Sequence, residues 1–175
     1  FSKIINRKKI ISINLRNNSE CLKYCINLAL GFEKNKFFSP MKDDEVIYFV
    51  ENDYIHLNNS KNVLLNAFKL NAHYVSLYDH PDKYGKGSIK ASIKHGYQQY
   101  FDNPDTKIIL GDFCHYRISV STTCTFATKY KFLKDDYDYF LKMCKRSMPR
   151  DHKIFSALTK SGRIIVTPIP SFSTH

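Results

Sequence analysis

The chain has 175 residues, 43% hydrophobic and 25% charged, with a formal net charge of +11. Length and apolar content suit one domain over residues 1–175 and exclude a disordered chain. No run of about eighteen apolar residues is present, which argues against a membrane span, and the opening Phe1-Ser2-Lys3-Ile4-Ile5 lacks the apolar core of a secretion signal. The positive charge would serve phosphate backbones, yet the bases are scattered. Only Arg7-Lys8-Lys9 and the stretch 142–146 approach clusters, which argues against nucleic acid as the partner. Five cysteines, odd in number and without a CxxC pair, predict reduced thiols and a cytoplasmic setting. A first residue other than Met implies a processed, truncated or excised chain, as a fragment of a longer one would be.

In chain order the residues predict strands alternating with helices. Residues 9–14 form a short apolar strand. Asn17-Asn18-Ser19-Glu20 then offers N-cap groups to an amphipathic helix in which Leu22, Cys25, Ile26, Ala29 and Leu30 recur at helical spacing, and Gly31 ends it. Cys21 and Cys25, one turn apart, fall on its core face. After a polar loop, Val46-Ile47-Tyr48-Phe49-Val50 is too short for a helix and reads as a strand covered on both faces, the kind parallel sheets contain. Together these make a βαβ unit with a right-handed crossover. Asn58-Asn59-Ser60 opens a second helix burying Val63, Leu64, Ala67 and Phe68, and residues 73–77 form the next strand. Both Asn-Asn-Ser sites match a glycosylation acceptor pattern but read better as helix starts.

Further along, residues 107–110, 115–120 and 124–127 predict strands of a partly antiparallel region. Residues 130–146 read as one helix. Asp151-His152 opens a shorter helix closed by Gly162, and residues 163–167 make a final strand. The expected fold is a single α/β domain: a mixed, mainly parallel, Rossmann-like sheet flanked by helices.

Three stretches carry candidate chemistry. Glu51 and Asp53 follow the strand at residues 46–50 and project to one side of an extended segment, beyond the carboxyl end of a strand, where open α/β sheets collect ligands. Acid-x-acid there suits Mg²⁺ or Mn²⁺ holding a diphosphate, and equally a solvated strand exit. Tyr78-Asp79-His80-Pro81-Asp82 is dense in turn formers and ligand-binding side chains. Asp79, His80 and Asp82 fit either a metal site or an Asp-stabilised turn. Ser121-Thr122-Thr123 is a hydroxyl-rich corner suited to acceptor contact or to plain strand propensity.

Tyr48 to Tyr54 (Tyr-Phe-Val-Glu-Asn-Asp-Tyr), Tyr78 to Asp82 (Tyr-Asp-His-Pro-Asp) and Pro170 to His175 (Pro-Ser-Phe-Ser-Thr-His), in this order, resemble nucleotide-sugar glycosyltransferases of the GT-A type, more narrowly family-2-like transferases of bacteria and large DNA viruses. The match runs from about Ile11 to the end, and the residue bias suits a virus-encoded protein of the host cytoplasm. The resemblance implies that Asp53 and His175 bind Mn²⁺ or Mg²⁺ on the donor diphosphate, with Glu51 on metal or ribose. It also implies that Asn14 and Asn18 lie beside ribose and diphosphate, and that Asp151 is the base toward a glycan, lipid or protein acceptor. Tyr78, Asp79, His80 and Asp82 would form an acceptor or donor loop.

The same resemblance implies that the chain enters after the strand-helix-strand that cradles the nucleotide base, leaving a strand edge open to self-association as a homo-oligomer. A metal-dependent nuclease using Glu51, Asp53 and His175, or a catalytically silent nucleotide-binding module, are the competing expectations.

Overall fold

The computed structural model describes residues 11–33, 41–80 and 107–175. In chain order these give α1 (Asn18–Ala29), β1 (Val46–Phe49), β2 (Ile55–His56), α2 (Ser60–Lys69), β3 (Tyr74–Val75), β4 (Ile108–Leu110), β5 (His115–Ser119), β6 (Phe126–Lys129), α3 (Tyr130–Asp135), α4 (Tyr137–Met143), α5 (Asp151–Lys160), β7 (Ile165–Ile169) and β8 (Ser173–Thr174). Six strands form one sheet in the order β1-β6-β3-β7-β5-β4, and β2 pairs with β8 in a separate ribbon.

The sheet is mixed and lies between helical layers, but it is mainly antiparallel, not mainly parallel as the sequence predicts. Among the described residues only β3 and β7 are paired in parallel, through Tyr74↔Ile165 and Val75↔Val166. The expected βαβ unit is absent among the described residues: residues 11–14 form no strand, and β1 pairs antiparallel with β6 from Val46↔Lys129 to Phe49↔Phe126. Apolar content misled here, because β1 is only half-buried and ends the sheet among the described residues. β-branched and aromatic side chains suit an edge strand beside a helix as well as a central one.

Alternation along the strands divides the core in two. Tyr74, Phe126 and Ile165 face α1, α3, α4 and α5, packing with Ile26, Leu133, Phe140, Phe155 and Leu158. Val75, Ala127, Val166 and Tyr116 face α2, against Val63, Leu64 and Ala67. Phe126 anchors the first layer, stacked on Phe140 at 5.6 Å and edge-on to Phe155 at 5.0 Å. Pro168 is tolerated in β7 because β3 pairs no further than Val166, leaving only β5 beside it.

Two helix expectations change. The predicted helix over 130–146 breaks at Asp136, whose carboxylate leaves the helix surface to accept from Arg163 Nε and Nη2, each at 2.8 Å, and from Tyr74 Oη at 2.8 Å. Cys25 is exposed rather than in the core; Leu22, Ile26 and Leu30 fill that face of α1. Gly31 and Gly162 close α1 and α5 at φ +77 and +95, where a side chain would be strained.

Candidate functional site

One end of the sheet gathers the exits of β1 and β3, the approach to β6, the tail after β7 and the first turn of α5. The registers explain this: β6 runs antiparallel to β1 and β3, so its entry lies where they leave, and β7 leaves on the same side as β3. The α5 helix runs back the other way. Its Thr159, near the far end, reaches the Val120 carbonyl after β5.

Asp53 lies in the turn beyond β1 and His175 ends the tail beyond β8. Their side chains meet, His175 Nε2 to Asp53 Oδ2 at 3.1 Å, with the two side chains 50% and 59% exposed. The β2–β8 ribbon sets this approach, through Ile55↔Thr174 and His56↔Ser173. Tyr48 Oη, 2.7 Å from His56 Nε2, ties that ribbon to β1. Behind the pair, Tyr54 is nearly buried; it packs against the His175 ring at 4.9 Å and the Tyr78 ring at 5.7 Å, and its hydroxyl sits 3.0 Å from Thr123 Oγ1.

Glu51 is fixed from β6. Its N–H donates to Thr125 Oγ1 at 3.0 Å, and that hydroxyl donates back to Glu51 Oε2 at 3.2 Å. Burial pushes the Glu51 carboxyl above its ordinary value, Thr125 opposes this, and the charges of Asp53 and Asp151 push it further up while His175 lowers it. Glu51 therefore senses both of the other carboxylates. Asp151 is the first residue of α5, not its N-cap, which is Arg150. Burial raises the Asp151 carboxyl, against a 2.7 Å hydrogen bond from the His152 N–H and the nearby charge of His80. The Cys124 thiol is pushed up by burial and then by Asp151 and Glu51.

The loop after β3 is held from below. Arg117 Nε, buried in β5, donates to Asp79 Oδ1 at 2.8 Å, and the Asp79 N–H donates to Ser171 Oγ at 2.9 Å. Asp79 thus anchors the loop through its Oδ1 contact with a buried guanidinium. Tyr78 and His80 on the same loop pack edge to face at 5.1 Å. Asp82 lies outside the described residues.

Asn18 lines a cavity of about 710 Å³ between α1 and β1 that reaches Glu51 and Asp53. Its Nδ2 also donates to Met148 Sδ at 3.4 Å. Asn14 is exposed in the segment before α1 and is not among the residues lining that cavity. Glu51, Asp53, Asp151, His175, Tyr78 and His80 thus lie at one end of the sheet, and Asn14 lies exposed before α1. Thr125, Arg117 and Ser171 were missed. Ser171 stood within the Pro170 to His175 stretch without a role of its own, and the hydroxyl-rich corner at 121–123 lies beside Thr125 in sequence.

Among the described residues no group of three or more His, Cys, Asp or Glu is placed to hold a metal ion by itself. Mg²⁺ sites commonly combine one or two protein ligands with substrate phosphates, and at bond lengths of about 2.1 Å two adjacent octahedral ligands stand about 3 Å apart. Asp53 and His175 are joined by a 3.1 Å hydrogen bond, a separation that two adjacent ligands of one cation would also have. No helix among the described residues is long and apolar enough to cross a membrane. No family model, curated protein or solved structure matches the chain.

Proposed function

We propose that this chain is a metal-dependent glycosyltransferase, or the part of one bearing the acidic end, moving a sugar from a nucleoside-diphosphate sugar to an acceptor hydroxyl. The observation that supports it is the meeting of Asp53 and His175, far apart in sequence, at 3.1 Å beside Glu51 and Asp151. Asp53 and His175 would hold Mn²⁺ or Mg²⁺ against the donor diphosphate. Bound there, the cation would offset charge growing on the departing diphosphate.

The chain's own residues supply the rest. Glu51, fixed by Thr125 and exposed at the site, would offer its carboxylate to the cation or to a ribose hydroxyl. Asp151 takes the proton of the acceptor hydroxyl as the new bond to the sugar C1 forms and the C1–diphosphate oxygen bond breaks. Burial suits it to that task by raising its proton affinity toward the working pH. The net charge of +11 draws an anionic donor from solution. All five cysteines are free, in keeping with a reducing compartment such as the cytoplasm.

The test is release of nucleoside diphosphate from UDP-, GDP- and dTDP-sugars with Mn²⁺. Metal-dependent release from at least one donor, lost in Asp53→Asn, is expected. No release from any donor, together with salt-sensitive Mn²⁺-dependent cleavage of DNA, would favour the nuclease reading instead.

A further inference from the structure

The β4 strand closes one edge of the central sheet and, among the described residues, has a strand partner on one side only. Its pairing with β5 fixes which backbone groups are left over. The Ile118 N–H donates to the Lys107 carbonyl at 2.9 Å, and the Gly111 N–H donates to the Cys114 carbonyl at 3.0 Å. Residues 107, 109 and 111 therefore turn their backbone groups toward β5, and alternation turns those of Ile108 and Leu110 outward. The Ile108 and Leu110 side chains share one face of the sheet and are 53% and 72% exposed, while Ile109 packs toward the α2 layer. Sheet edges are commonly blunted by proline, a bulge or an inward-pointing charge. Residues 108–110 carry none of these. β1, at the other edge, is half-buried and shares a cavity with α1.

We propose that β4 is a self-association edge: two copies of this chain pair β4 against β4, antiparallel about a two-fold axis at Ile109, joining their sheets into one. The occupant is a second copy because the segment matches itself. With Ile109 on the axis, Ile108 of each copy stands opposite Leu110 of the other. These are the residues whose N–H and C=O groups point outward, so each such pair exchanges both of its hydrogen bonds. The same register packs the exposed apolar side chains across the seam on one face and sets Ile109 against its counterpart on the other. A register one residue off would set outward groups against inward ones.

Charge is matched as well. Lys107, exposed just before β4, falls opposite Gly111 of the second copy, which has no side chain to obstruct it, and lies beside the exposed Asp112. Asp112 already has Lys69 at 3.7 Å, so Lys107 adds a second cation to that carboxylate. β4 runs antiparallel to β5 and hence in the direction of β7. The two-fold axis therefore sends the acidic ends of the two copies opposite ways, and the pairing stands independently of the transferase reading.

The experiment is sedimentation equilibrium of the whole chain at an ionic strength of about 0.15 M, which screens the net charge of +11 beyond about 8 Å. So short a strand buries less than the roughly 800 Å² per partner of a standard interface, so the parent should pass from monomer to dimer between about 10 μM and about 1 mM. Leu110→Lys should weaken association about tenfold or more. Lys107→Glu, which brings like charge to Asp112, should weaken it about two- to fivefold. Register is read by cysteine cross-linking with copper-phenanthroline and air. Ile109→Cys should give a disulfide-linked dimer, since residues facing across a non-hydrogen-bonded pair have Cα atoms about 4.5 Å apart, within disulfide reach. Leu110→Cys, whose two copies would stand about 8 Å apart on either side of the axis, should cross-link no more than the parent with its native thiols.

A parent that stays monomeric to about 1 mM overturns the proposal. So does a dimer that persists undiminished in Leu110→Lys, because its contact would then lie elsewhere, such as at β1. Equal cross-linking of Ile109→Cys and Leu110→Cys, or none in either, refutes the two-fold at Ile109. Should Leu110→Lys fail to fold, as its unfolding curve would show, Lys107→Glu and the cross-linking pair still decide.

Discussion

The two ends of the central sheet each hold clustered carboxylates, and they treat them in opposite ways. At the end where β3 and β7 begin, Asp136 is buried and matched: Arg163 grips it with two 2.8 Å bonds, Tyr74 adds a third, and Asp135 extends the pairing at 3.5 Å. Arg163 also lies 5.0 Å from the centre of the Phe132 ring. At the opposite end, Glu51 feels the charges of Asp53 and Asp151, and the Glu51 and Asp151 carboxyls both sit above their ordinary values through burial. Charge satisfied in place holds a fold together. Charge gathered and left to repel is costly, and that cost is the usual mark of a site awaiting a cation or a proton.

Breaking the two ends should give opposite signatures. The largest effect belongs to Asp151→Asn, which should lower turnover by roughly a hundred- to ten-thousandfold while leaving donor binding intact, measured by steady-state kinetics beside a nucleotide-binding titration. Equal loss of binding and turnover would remove Asp151 as the base. Activity of the parent should rise with pH through the Asp151 titration, above that group's ordinary value of 3.8. At the matched end, Asp136→Ala strands the Arg163 guanidinium and should cost about 3 kcal/mol or more in urea unfolding, without changing donor affinity of the folded protein.

Smaller effects sharpen the contrast. Glu51→Gln should raise the thermal midpoint at neutral pH. Because the folded carboxyl lies above its ordinary 4.5, the parent is relatively favoured below that value and loses this contribution as pH rises through the raised one. The gain in the variant should therefore fade on acidification.

The smallest effect is expected at His73, whose Nδ1 accepts the Ile164 N–H at 3.0 Å and whose pKa is lowered by burial and then by Arg163. Its contribution is present above the ordinary 6.5 and lost as pH falls through the lowered value, the reverse of Glu51. Unfolding curves of His73→Asn and parent should converge in acid. Parallel curves at all pH would contradict the assigned acceptor role.

Much of this was legible in the sequence where a property is local. Helix starts at Asn17 and Asp151, stops at Gly31 and Gly162, and the acid-x-acid after residues 46–50 follow from capping, backbone freedom and apolar runs. Strand direction did not follow, because Val46-Ile47-Tyr48-Phe49 reads the same beside an antiparallel partner as beside a parallel one. Arg117 was invisible for a related reason. Alternation places Tyr116 toward α2 and so turns Arg117 toward the other layer, but a buried guanidinium there needs a partner such as Asp79, distant in sequence. The break at Asp136 likewise depends on Arg163, which no local pattern announces.

The most direct test of the central claim is a Mn²⁺ titration followed by electron paramagnetic resonance, with and without UDP, GDP or dTDP, on the parent, Asp53→Asn and His175→Ala. The account predicts that one of these nucleotides and the metal tighten each other's binding to the parent and that either substitution removes the coupling. Equal Mn²⁺ binding by all three proteins, indifferent to every nucleotide, would contradict it.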